Sequence, residues 1–172
     1  MLYVTHDQVE AMSMADQVVL LNAGRVEQIG PPDALYAAPD TVFAARFIGT
    51  PPMSLLQMAP APGGGLAIAG TEAPILAGHE DPDVLLGLRP EEIQVSGQGA
   101  PAIVEVVDYV GPDTILKCRL GSEAVQVRVP RLVRVGAGET VGLRWDDASI
   151  HAFDRATGRR LTRYTTITGG PS

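Results

Sequence analysis

Two consecutive prolines, Pro51 and Pro52, divide the 172-residue chain into stretches with different periodicities. Proline fixes φ and removes a backbone donor, so neither a helix interior nor a central strand passes through the pair. Before it, Phe43, Ala44, Phe47 and Ile48 recur at the spacing of one helix face over 41–48. After it, short apolar runs alternate with turn residues. Candidate strands are 54–58, 66–69, 84–88, 93–95, 102–110, 114–120, 124–129, 140–145 and 150–153, and glycine-containing turns punctuate them. Val125, Val127 and Val129 alternate with Gln126 and Arg128, as the wall of a barrel with one wet face does. Such spacing predicts a small closed or partly closed barrel, with two subdomains in tandem as the alternative. The fold class is α+β, with a mixed unit over 1–49 and a β-barrel over 53–172.

The first unit opens on Leu2-Tyr3-Val4-Thr5-His6-Asp7-Gln8, which reads as a strand end running into a helix start. Asp7 caps that helix and Glu10 stands three residues on, an acidic form of the capping box. The helix is expected over 8–15, with Val9, Met12 and Ala15/Asp16 on one face and Met12 and Met14 filling a core. Val18 to Leu21 reads as a buried strand, and Asn22-Ala23-Gly24 as its hairpin turn. A half-exposed return strand over 25–29 follows. Gly30-Pro31-Pro32 then opens a helix over 33–38, which Pro39 stops, and Asp40 is expected to cap the helix over 41–48.

An imidazole such as His6, beside a helix start, is placed either to meet a phosphate or to serve as a satisfied structural residue. With His79 in a polar turn and His151 in an alternating strand, it shares no metal-ligand spacing. The single cysteine, Cys118, cannot form an internal disulfide and reads as a buried, inert thiol. The net charge of −7 argues against polyanion binding by bulk electrostatics. Arg119, Arg128, Arg131, Arg134 and Arg144 could form a basic strip, but no aromatic residues alternate with them and solvated strand faces account for them. Arg89, at a strand end before Pro90-Glu91-Glu92, reads either as a clamp on a carboxylate that pins a loop or as an interface residue.

Tyr3-Val4-Thr5-His6-Asp7-Gln8 with Glu10-Ala11-Met12 resembles the switch-histidine segment of ATP-binding-cassette (ABC) importer ATPases. The likeness continues through Ala15-Asp16, Gly24-Arg25-Val26, Gln28-Ile29-Gly30, Pro32 and Phe47-Ile48-Gly49-Thr50-Pro51-Pro52-Met53. Gly87-Leu88-Arg89-Pro90-Glu91, Phe153-Asp154 and Thr157-Gly158 look like the C-terminal OB-like (TOBE) regulatory domain of the carbohydrate-uptake branch.

The resemblance implies that residues 1–49 correspond to the C-terminal remnant of a nucleotide-binding domain and 53–172 to a regulatory and dimerisation barrel. It implies a γ-phosphate contact for His6, with ATP and magnesium as cofactors of the intact subunit, and it makes Arg89 and Glu91 regulatory or interface candidates. It further implies a homodimer with a second ATP-binding subunit, integral membrane permease partners, and a cytoplasmic position at the inner face of the membrane. Sugars or other small polar molecules would be the transported solutes.

The only lysine, Lys117, lies between Leu116 and Cys118, so the Gly-Lys-Ser/Thr of a phosphate loop is missing from the sequence. No apolar strand ends in a magnesium-holding Asp-Glu pair, and the glycine-rich signature is missing too. By itself the chain is therefore expected to be inactive toward ATP. Apolar surface at Val4, Val18 and Leu20 is expected to drive self-association. An alternative of another class is a stand-alone barrel that binds a small oxyanion or sugar.

Overall fold

The computed structural model describes residues 1–78 and 82–166, so His79 lies outside the described residues. Helix α1 (Gln8–Met14) is followed by strands β1 (Val18–Asn22) and β2 (Arg25–Gly30), then helices α2 (Pro32–Ala37) and α3 (Val42–Phe47). The β1–β2 turn has Ala23 at φ +48° and Gly24 at φ +76°, the pair of positive values that a two-residue hairpin needs to match strand twist. Proline at the start of α2 costs nothing, because the first-turn N–H groups lack helical acceptors. The cap of α3 is Thr41 rather than Asp40: Thr41 is extended, and its Oγ1 accepts from Ala44 N at 3.2 Å.

Beyond the prolines, the described residues form strands β3 (Ser54–Pro60), β4 (Leu66–Ile68), β5 (Pro74–Ala77), β6 (Val84–Leu88), β7 (Gln94–Ser96), β8 (Ala100–Val110), β9 (Asp113–Leu120), β10 (Glu123–Val129), β11 (Thr140–Arg144), β12 (His151–Asp154) and β13 (Thr165–Thr166). They build two antiparallel sheets, β12-β6-β3-β4-β5-β13 and β10-β9-β8-β11-β7. One core is shared by both: Leu56, Leu66, Leu86 and Leu88 from the first meet Leu116, Leu120, Val127 and Leu143 from the second, all fully buried. A shared core makes this one β-rich unit rather than two subdomains in series. Strands β5 and β13 escape the sequence reading because one opens on a proline and the other has two residues.

The first unit departs from expectation on its surfaces. Strand β1 is buried on one face only: Leu20 is 5% exposed, whereas Val19 and Leu21 are 48% and 61% exposed. Helix α1 buries no residue completely; Met12 packs inward while Val9 and Met14 are exposed. Residues 1–5 pair with no strand among the described residues. A four-residue apolar run therefore marks a strand here but does not report how many of its faces are covered.

Helix α3 is the element that joins the two units. Ala44 faces a small core with Leu20, Leu35 and Ile48, while Ala45 faces Met53 and Phe153 on the outer side of the barrel. Two adjacent alanines let α3 approach both packing partners closely. The fully buried Phe153 contributes about 3–5 kcal/mol at such a contact, the usual cost of truncating a buried phenylalanine.

Candidate functional site at the joint between helices and barrel

Both ends of α3 are stitched to the barrel. At its start, Val42 N donates to Gly158 O and Arg160 N to Asp40 O, each at 2.8 Å, and Thr41 bridges Arg159. The loop after β12 is shaped for this by Asp154, whose Oδ1 accepts from Thr157 N at 2.6 Å and from Thr157 Oγ1 at 2.7 Å. These bonds hold the Asp154 carboxyl below its usual range. The Phe153-Asp154 and Thr157-Gly158 blocks are thus the barrel's half of the stitch.

At the other end of α3 stands Arg89, at the C-terminal end of β6 and 3% exposed. Its Nη1 donates to Ile48 O at 2.5 Å and its Nη2 to Tyr36 O at 2.7 Å, while Cζ lies 3.9 Å from the centre of the Tyr36 ring. Both carbonyls belong to helix C-terminal turns, of α2 and α3, where lone pairs lack helical donors and the dipole is negative. One planar guanidinium therefore caps two helices, a task that suits arginine's rigid fork. The expected carboxylate clamp is replaced by carbonyl oxygens. Burial without a carboxylate partner draws the Arg89 pKa down to about 10, still protonated at neutral pH. Gly49 leaves space for this group: a Cβ there would stand 2.7 Å from Nη1, and its φ is +119°.

The segment around His6 reaches the same place. Asp7 Oδ1 accepts from Val9 N at 2.8 Å and from Glu10 N at 3.4 Å, which caps α1. Glu10 turns back to Thr5 Oγ1 at 2.9 Å rather than to the cap N–H, so the capping box is not closed. Gln8 Oε1 accepts from Gly49 N at 2.7 Å, and Gln8 Nε2 donates to Thr50 Oγ1 at 2.8 Å. Gly49 N and Ile48 O belong to one peptide group. Gln8 holds its N–H end and Arg89 its C=O end.

His6 itself is exposed and makes no hydrogen bond or ion pair among the described residues. Glu91 is exposed on the 3-10 turn Pro90–Glu92; shielding by surrounding protein raises its carboxyl pKa, and it makes none of the bonds at the joint. The structure thus brings Arg89 and the His6 segment to one peptide and leaves Glu91 apart. Gln8, Tyr36, Gly49 and Phe153 were not singled out as site residues from the sequence. The partners lie 41 and 53 positions apart along the chain, beyond the reach of any local spacing rule. The only available signal was that the Phe47–Met53 and Gly87–Glu91 blocks both carry the family likeness.

The residues present do not by themselves fit a nucleotide and its metal. Lys117 lies on β9 with its Nζ 3.0 Å from Asp108, and among the described residues no group of three or more His, Cys, Asp and Glu could hold a cation. The first-turn amides of α1 already serve Asp7. On the barrel, Arg119 pairs with Glu105 at 2.7 Å and Arg128 with Asp113, which neutralises two of the five arginines of the expected basic strip. Cys118 is 1% exposed, and burial pushes its thiol up to about 11. A groove of about 560 Å³ runs between the sheets, lined by Ile68, Thr71, Ile75, Pro101, Arg119 and Trp145 among others.

Residues 86–153 match the TOBE domain family. Over 93% of its length the chain is similar to the sn-glycerol-3-phosphate import ATP-binding protein UgpC of several bacteria. Identity is 40% with that of Salmonella choleraesuis (strain SC-B67), of which 47% is covered, and 41% with that of Cereibacter sphaeroides, of which 46% is covered. The protein from Cupriavidus necator is 40% identical over 176 residues, 48% of its own length. The chain spans about half the length of these relatives. This likeness extends well beyond the barrel and is that of a C-terminal piece of an ABC importer ATP-binding subunit, with a TOBE domain over residues 86–153.

Proposed function

We propose that the chain supplies the C-terminal half of an ATP-binding subunit that powers uptake of a small polar solute. Residues 1–49 form the end of the nucleotide-binding domain and 53–172 the regulatory and dimerisation barrel. His6 contributes one contact to the γ-phosphate at a site whose phosphate loop and magnesium ligands come from elsewhere in the working subunit. Two such subunits pair and drive integral membrane permease partners from the inner face of the membrane. Among the described residues no helix is long and apolar enough to cross a membrane. The relatives' names point to a phosphorylated polyol as the first solute to test.

The observation that carries this reading is the 93% coverage, which is too wide to be met by the barrel alone. A barrel-only module would leave residues 1–49 without a counterpart. The reading is tested by magnesium-dependent ATP turnover. The chain alone is expected to show none, and turnover should emerge when the part of the Cupriavidus necator relative that this chain does not span is supplied in trans. His6→Ala should then abolish it. Turnover by the chain alone that His6→Ala abolishes would overturn the reading.

A second reading, small-ligand binding by the barrel, has the groove beside Trp145 and Arg119 in its favour. Calorimetry against sulfate, molybdate and simple sugars separates the two. Tight binding that Trp145→Ala removes would support the second.

A further inference from the structure

We propose that Gln8 and Arg89 are positioning residues that fix the His6 segment relative to the barrel by gripping the two ends of one peptide group. The 48–49 peptide offers its N–H to Gln8 Oε1 at 2.7 Å and its C=O to Arg89 Nη1 at 2.5 Å. Gln8 lies two residues from His6 in the first turn of α1; Arg89 lies at the end of a core strand of the barrel. Between them runs a continuous path: α1 first turn, Gln8 side chain, peptide 48–49, guanidinium, β6.

The path is mechanically favourable for three reasons. The guanidinium is nearly excluded from solvent, so its bonds are undiluted by water. A peptide bonded at both ends is polarised along its dipole, and each bond strengthens the other. Gln8 is fastened twice, since Nε2 also donates to Thr50 Oγ1 at 2.8 Å. By contrast α1 buries no residue completely, so few apolar contacts compete with Gln8 in setting its orientation. A shift of the barrel's β6 end would therefore be felt at the His6 segment first through this peptide. Its regulatory meaning rests on the function proposed above, namely that the barrel biases where His6 stands. The link is a property of this chain.

Amide hydrogen exchange followed by NMR on the whole 172-residue chain tests it without nucleotide. The reporters are Gly49 N–H, the α1 amide of Ala11, and β9 amides as an internal control. Arg89→Met is expected to speed exchange at Gly49 and Ala11 by roughly tenfold, the loss of one charge-assisted bond, and to leave β9 unchanged. In a Gln8→Met background, Arg89→Met should no longer move Ala11. Gln8→Glu should preserve the coupling, because its carboxylate accepts from both Gly49 N–H and Thr50 O–H. An Ala11 response that is absent, or identical with and without Gln8→Met, overturns the proposal.

Should Arg89→Met unfold the helical unit, the link is read in reverse. Arg89 Nε is buried without a hydrogen-bond partner, and its N–H resonance should shift in Gln8→Met and return in Gln8→Glu. An unmoved resonance overturns the proposal. Because these readouts involve no ATP, their failure is distinct from a failure of the turnover test.

Discussion

Tyr36 serves Arg89 twice, with its carbonyl oxygen at 2.7 Å from Nη2 and with its ring 3.9 Å from the guanidinium carbon. The first contact satisfies a helix-end carbonyl; the second supplies a negative π face to a cation that has lost its water. Removing the guanidinium leaves two carbonyls, of Tyr36 and Ile48, without their donor. Arg89→Ala is therefore expected to destabilise the helical unit by about 2–4 kcal/mol in urea unfolding, since each abandoned buried acceptor costs about 1–3 kcal/mol. Tyr36→Phe keeps both the ring and the carbonyl and should stay within about 0.5 kcal/mol of the parent, the range of substitutions that touch no such feature. Tyr36→Ala keeps only the carbonyl and should fall between. Equal losses for Tyr36→Phe and Tyr36→Ala would show that the ring face is not what the cation uses.

His151 sets the acid limit of the same joint. It is 8% exposed, its Nδ1 has no hydrogen-bond partner, and Gly87 pairs with it across β6 and β12. Burial first, then the charges of Arg160 and Arg89, lower its pKa from 6.5 to about 4, with Glu92 opposing. The neutral ring is favoured in the fold, so its contribution is complete above pH 6.5 and is lost as pH falls toward 4. Between pH 8 and pH 5 this amounts to about 2 kcal/mol of lost stability. His151→Gln should flatten the fall in unfolding free energy over that interval relative to the parent. Parallel pH profiles for the two proteins would exclude His151 as the group responsible.

The elements were legible because local rules govern them. Asp7 caps α1, Pro32 starts α2, and the alternation of Val125, Val127 and Val129 places three buried side chains on one face of β10. The joint was not legible, since Gln8, Tyr36, Ile48 and Arg89 converge from four elements and none advertises its partner. Arginine before a proline suggested a carboxylate partner, the commonest choice for a buried guanidinium. The fold instead offered helix-end carbonyls, which every residue possesses and which no sequence pattern distinguishes. Burial in β1 failed for a related reason: Val19 and Leu21 are as apolar as Leu20, and composition does not say which face finds a neighbour.

That exposed face locates the surface on which the chain should self-associate. In the β1–β2 ribbon, Val19 stands opposite Ile29 and Leu21 opposite Val26, and all four are about half exposed or more. The residues expected from the sequence to be bare, Val18 and Leu20, instead pack toward Leu35 and Ile48, and only Val4 is exposed as expected. Four apolar side chains on a two-stranded ribbon, with both outer strand edges unpaired among the described residues, form a template for another strand or an apolar surface. Sedimentation equilibrium is expected to show an average mass that rises with concentration. Leu21→Lys combined with Val26→Glu places an opposite-charge pair across the ribbon. It should preserve the hairpin while shifting the chain toward the monomer by at least roughly tenfold in dissociation constant, the equivalent of about 1.4 kcal/mol. A parent chain that stays monomeric over a wide concentration range would show that this face needs no cover. A double variant that associates as strongly as the parent would place the contact elsewhere on the molecule.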